Sequence, residues 1–151
     1  MPRIRVRRAT ARDLDWLVEH RRKMWVDMGE LDPATPQARA ADRVYRRWAR
    51  AKLRQRHRFL GLIAERDGRV VGGGCVWVMD TQPNPWNPRG RTPYLLSMYT
   101  HPDARGEGVA SAIVEAAIAW AKAEGHHVMR LHASRLGRGV YARFGFERSW
   151  E

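Results

Sequence analysis

The run Arg105-Gly106-Glu107-Gly108-Val109-Ala110-Ser111 carries the clearest chemical signal in the chain. Its two glycines stand where strand formers, Tyr94 to Thr100, give way to helix formers. Glycine costs about 1 kcal/mol of helix propensity relative to alanine. A backbone that must come close to negative charge offsets that cost. Glycine has no Cβ to hold an oxygen away, and the first amides of a helix point outward without intrahelical acceptors. Three phosphate-binding patterns compete with a plain glycine-containing turn. A P-loop ends in Gly-Lys-Ser/Thr, and no lysine is near. The stretch Gly106 to Ser111 approaches the dinucleotide fingerprint G-x-G-x-x-G/A. Against that stand the His101 to Arg105 spacer, an antiparallel hairpin upstream, and the lack of an acid closing the next strand. The third pattern depends on the rest of the chain.

Several elements must position this loop. Ile4 and Val6 alternate with arginines and predict a half-buried first strand. Thr10 and Asp13 have capping-box spacing ahead of a helix that places Leu14, Leu17, Val18, Met24, Trp25 and Met28 on one face, ended by Gly29. Thr35 and Pro36 predict the N-cap and first position of a second helix. That helix is expected to bury Ala41, Val44, Tyr45, Trp48 and Ala51 and to show Arg43, Arg46, Arg47, Arg50 and Arg54 to water. Two β-rich runs around Asp67-Gly68 read as a tight hairpin. Residues 81–93 hold four of the eight prolines and read as an irregular loop. Then come a strand over 94–100, the glycine loop and a third helix with Val109, Ile113, Ala116, Ala117 and Trp120 inward. A strand over 127–134, a short helix ended by Gly145 and a last strand over 146–150 complete the chain. The reading is a single α+β domain over residues 1–151, sandwich-like, in the order β-α-α-β-β-β-α-β-α-β.

Composition narrows the setting. One cysteine, Cys75, excludes an internal disulfide and fits a reducing compartment. No apolar h-region follows the basic start, and no stretch approaches the ~18 apolar residues of a membrane span. A cytoplasmic domain without membrane partners is expected. The net charge of +12 is unevenly spread. Residues 36–58 hold nine basic groups against Asp42, while residues 94–151 hold seven basic and six acidic ones.

Residues 105–110 resemble the R/Q-x-x-G-x-G/A signature of the GNAT superfamily of N-acetyltransferases, preceded by His-Pro-Asp as in that family's strand-to-loop run. The opening strand and helix, and Tyr141-Ala-Arg-Phe-Gly-Phe146, resemble the family's opening and its Y-x-x-x-G-F close, so almost the whole chain is covered in order. The resemblance implies a mixed, mostly antiparallel sheet of six or seven strands flanked by four helices, and acetyl-CoA as cosubstrate without a metal. Amides of Arg105, Gly106, Glu107, Gly108, Val109, Ala110 and Ser111 would cradle the pyrophosphate. The strand at Met98, Tyr99 and Thr100 would splay from its neighbour and bind the pantetheine arm, with one of its amides as oxyanion donor. Tyr141 matches the tyrosine that serves the departing sulfur, and Ser134 the position of an asparagine that binds pantetheine or a water.

The acceptor is a primary amine of unidentified kind, on a small molecule or a protein. An amine must lose a proton before it attacks, yet residues 94–100 lack the glutamate that many relatives keep. His132, Asp27 and Glu30 are the candidate bases, with a water chain as the alternative. The basic second helix suits an acidic acceptor. Nucleic-acid association without turnover is a second reading, and a CoA-sensing module a third. The sheet ends one strand short of typical relatives, or a second copy completes it as a homodimer.

Overall fold

The structure is a computed structural model that describes residues 3–134 and 137–149. It is built around a hairpin. β2 (Phe59–Arg66) and β3 (Arg69–Asp80) turn at Asp67 and Gly68, whose φ values of 53° and 75° give the two left-handed positions of a type I′ turn. β1 (Arg5–Arg8) pairs antiparallel outside β2, and β4 (Arg91–Thr100) antiparallel outside β3. β5 (Arg130–Leu131) adds a short parallel edge to β4, giving the order β1-β2-β3-β4-β5.

Helices cover both faces. α1 (Leu14–Asp27) packs on β3 and β4, and α2 (Pro36–Lys52) leans on α1. α3 (Val109–Ala123) covers the other face, beside α4 (Arg138–Arg143). The period of two in β2 serves both layers. Leu60, Leu62 and Ala64 face Val109, Ile113, Val114 and Ala117 of α3, while Ile63 faces Ala9 and Leu17. Thr10 and Asp13 form the expected capping box, and Thr35 caps α2 ahead of Pro36.

Four expectations are corrected. The sheet has five strands among the described residues, not six or seven, and the expected last strand over 146–149 is absent there; Trp150 lies outside them. The strand expected over 127–134 shrinks to Arg130–Leu131. Both have one cause: β5 meets β4 only at Tyr94 and Leu95, so there is no long outer edge to pair with. β4 starts at Arg91, inside the region expected to be loop, because Thr92 and Pro93 pair with Met79 and Val78. α2 is rotated: it buries Ala38 and Ala49, with Tyr45 and Trp48 half-buried. Ala41 and Ala51 are exposed, as is Val44 at 65%. Small side chains at 38 and 49 allow the close approach, and Val44 and Ala51 fall about opposite them at 100° per residue.

Candidate active site

β4 is irregular where it matters. Gly73 opposes Tyr99 but Cys75 opposes Leu96, so β4 carries an extra residue there, and Ser97 holds φ at +57°. The bulge lies just past Leu95, the last residue paired with β5. Met98, Tyr99 and Thr100 therefore run on without a β5 partner, and a gap opens between the two strands.

After Thr100 the chain makes a 3₁₀ turn at Pro102–Ala104 and enters the glycine loop. Gly106 (φ +78°) and Gly108 (φ +88°) are both left-handed, which side-chain-bearing residues resist. A Cβ built on either meets nothing within 4 Å, so the space above the loop is open. Gly108 is the N-cap of α3 and supplies no side-chain cap. The first closing bond runs from Ala112 N–H to Gly108 O at 3.0 Å, leaving the amides of Val109, Ala110 and Ser111 ahead of it. The loop therefore joins open space to amides that lie ahead of the first closing bond, the kind of backbone that a pyrophosphate would need.

Side chains brace the cradle. Arg105 donates to Thr100 O at 3.0 Å, pairs with Asp27 of α1 at 2.6 Å, and lies over the Tyr99 ring. Glu107 pairs with Arg66. Arg143 of α4 donates to the Ser111 hydroxyl at 3.4 Å, bringing a cation to the helix start. The sequence reading did not single out Arg143, although it falls within the Tyr-x-x-x-Gly-Phe segment.

Tyr141, half-buried on α4, packs with Phe146 and shares a core cluster with Met98. Burial raises its hydroxyl above the usual tyrosine range, so it stays protonated at neutral pH. Ser134 is exposed, and its hydroxyl accepts from Gly137 N–H at 3.2 Å. His132 is exposed just beyond β5. Asp27 is engaged with Arg105 and thus ties α1 to the loop, whereas Glu30 lines a groove between α1 and α2.

That groove, about 220 Å³, is lined by Val18, Arg21, Trp25, Gln37 and Tyr45 among others. Arg21 reaches from it to the bulge, donating to the Ser97 hydroxyl at 3.3 Å. The Tyr45 hydroxyl, in polar contact with Ser97 and Cys75, is pushed well above its ordinary range by burial. Burial likewise pushes the Cys75 thiol up to about 11, leaving it inert as a nucleophile. Behind the groove His20 is buried against Gly73, where a Cβ would come within 2.7 Å of its ring. Its Nε2 meets His101 Nε2 at 3.0 Å, and its Nδ1 has no partner among the described residues. Burial, and then His101, depress its pKa to about 4, so it is neutral near pH 7. Sequence reasoning missed His20, Arg21 and Ser97. The only signal for His20 was a polar residue three positions after Leu17 on the apolar face of α1.

No helix among the described residues is long and apolar enough to cross a membrane. Nor does any cluster of three or more His, Cys, Asp or Glu among them suit a metal ion.

The family model for the GNAT acetyltransferases matches residues 17–146, and the chain belongs to that family. A predicted acetyltransferase with acetyl-CoA from Clostridium acetobutylicum is 30% identical over 99% of this chain and 93% of its own, with a TM-score of 0.86. A GCN5-related N-acetyltransferase from Ralstonia eutropha is 26% identical over 99% and 95%, at 0.87. A ribosomal-protein-alanine N-acetyltransferase from Brucella melitensis shares the fold at 22% identity over 99% and 95%, at 0.67. No curated protein matches.

Proposed function

We propose that the protein transfers the acetyl group of acetyl-CoA to a primary amine that enters through the α1–α2 groove. The observation that carries this reading is the backbone of residues 105–111. Two left-handed glycines and three outward amides form an anion site directly after a strand whose outer edge is unpaired. One side takes a pyrophosphate, and the other takes an extended, hydrogen-bonding arm. Arg143 adds positive charge at the same place, while Arg105, paired with Asp27, braces the loop.

The chain's own groups then divide the work. Met98 to Thr100 align the thioester through the backbone, and an amide there donates to the oxygen as charge develops on it. Tyr141, kept protonated by burial, donates to the departing sulfur. The bulge residue Ser97 has Arg21, Tyr45 and Cys75 as its polar partners among the described residues, none of them a carboxylate. A water chain through the groove is the proton acceptor in this reading, ahead of exposed His132. Arg39, Arg43, Arg47 and Arg50 of α2, with Arg54 just beyond it, are exposed and would draw an anionic acceptor, while Arg46 is paired with Asp15 of α1.

A thermal-shift comparison tests the reading. Acetyl-CoA should raise the melting temperature by the mass-action amount, and NADH should not. The opposite pattern would overturn it in favour of a dinucleotide-binding protein.

A further inference from the structure

Arg21 stands apart from its neighbours on α1. Arg22 is neutralised by Asp42 at 2.6 Å and Lys23 by Glu19 at 3.1 Å. Arg21 has no carboxylate within 4 Å among the described residues. Its guanidinium lies 4.7 Å from the Tyr45 ring centroid and 5.9 Å from that of Trp25. Its one hydrogen bond there goes to the Ser97 hydroxyl. A guanidinium has five N–H donors in a fixed plane, so most of this fork is unspent. The rings set its plane without cancelling its charge, which is the arrangement that presents a bidentate edge to a planar anion.

Its place in the groove limits what that anion belongs to. The cavity, about 220 Å³, has room for a small molecule, and Gln37 adds amide donors along its lining. Arg21 touches Ser97, the bulge residue immediately ahead of Met98 to Thr100. With the thioester aligned along Met98 to Thr100 as proposed above, an anionic group held by Arg21 would lie close to the reacting carbonyl, which would put the nucleophilic nitrogen only a few bonds away. Glu30 lines the same groove and offers an acceptor for the ammonium on its way in.

We propose that Arg21 determines acceptor choice, and that the acceptor is a small primary amine bearing a carboxylate within a few bonds of its nitrogen. This rests on the acetyltransferase reading. In the reaction the amine nitrogen bonds to the thioester carbonyl carbon and the carbon–sulfur bond breaks. The ammonium gives up two of its three protons, one ending on the thiol and one released to water.

The test uses the whole protein with acetyl-CoA and follows thiol release with four amines of similar size: β-alanine, phosphoethanolamine, ethanolamine and 1,3-diaminopropane. A charge-assisted pair is worth about 1.5–3 kcal/mol, so kcat/KM for β-alanine should exceed that for ethanolamine by roughly 10-fold or more. Arg21→Gln should collapse that gap, and Arg21→Lys should keep part of it. The acetyl-CoA thermal shift, measured on each variant, establishes that fold and donor site are intact. Preference for phosphoethanolamine over β-alanine would replace carboxylate by phosphate and overturn the assignment. Equal or better turnover of ethanolamine or the diamine, or no turnover of any amine by a protein that binds acetyl-CoA, overturns the proposal and leaves the donor reading standing. A wild-type protein that shows neither a shift with acetyl-CoA nor thiol release brings down the acetyltransferase reading itself.

Discussion

The glycine loop and the α1–α2 groove meet at β4 but are built in opposite ways. The loop is made of backbone from consecutive residues, 105–111, and its shape follows from dihedral angles that only glycine adopts easily. The groove is made of side chains: Arg21 and Trp25 from α1, Tyr45 from α2, with Cys75 and Ser97 contributed by the sheet behind it. One can be read in a single window of sequence, while the other exists only once distant elements are packed. Within one family the first would serve any member that uses the same donor, whereas the second is free to differ with the acceptor.

Gly108→Val should separate the two regions most clearly. A β-branched residue at φ +88° carries strain of at least about 1–2 kcal/mol, and its side chain occupies the open space over the cradle. The stabilisation by acetyl-CoA, about 2.7 kcal/mol at a concentration near 100 times Kd, should vanish, while the unliganded protein stays folded with a modestly lower Tm. A variant with an unchanged shift would show that the cradle is not the donor site. Tyr141→Phe sits between the two regions. Loss of a proton donor used mainly in the transition state should lower kcat about 100-fold with acetyl-CoA affinity nearly unchanged. Wild-type turnover would reduce Tyr141 to packing.

His20 ties the groove wall to the residue that begins the loop, and its titration tests that junction. Its folded pKa, about 4, lies below the unfolded value near 6.5. The unfolded chain therefore binds the extra proton between these values. The stability this group contributes is complete above about pH 6.5 and is lost as pH falls towards 4. Between pH 7.5 and 5 the loss should be roughly 2 kcal/mol. Denaturant titrations should show His20→Leu lacking that part of the pH slope; an identical slope in both proteins would mean the imidazole is not held neutral. The smallest effect concerns α2. Arg46 is paired with Asp15 at 2.5 Å, so Arg43, Arg47 and Arg50 are the better choice for joint replacement by glutamine. The acceptor's KM in the wild type should rise with salt, on a screening length near ~8 Å at physiological ionic strength, and the triple variant should flatten that rise by a few-fold. Equal salt dependence in both proteins would make the arginine stripe a solvated face.

Much of the fold was legible because its causes are local. Asp67-Gly68 specifies the hairpin, Thr10 and Asp13 the entry to α1, and Val109, Ile113 and Ala117 the inward stripe of α3. The misplaced features all depend on neighbours. Val44 looked like core by its type, yet α2 turns Ala38 and Ala49 inward because contact with the rest of the molecule selects small side chains there. The strand expected over 127–134 has the right residue types, but β4 departs at its bulge and leaves only two of them a partner.

Short segments of the sequence carry the order of elements as far as the short last helix, the left-handed glycines ahead of α3 and the local excess of charge at 36–58, since dihedral preference, capping and composition are local. Tertiary structure alone decided that Asp27 braces Arg105, that His20 is buried neutral against Gly73 and that Arg21 faces the bulge at Ser97. Those contacts join residues 76 to 78 positions apart in two of the three cases. No local rule encodes such a distance: it is set by how α1 packs across the sheet, where burial and shape, not sequence neighbourhood, choose which groups meet.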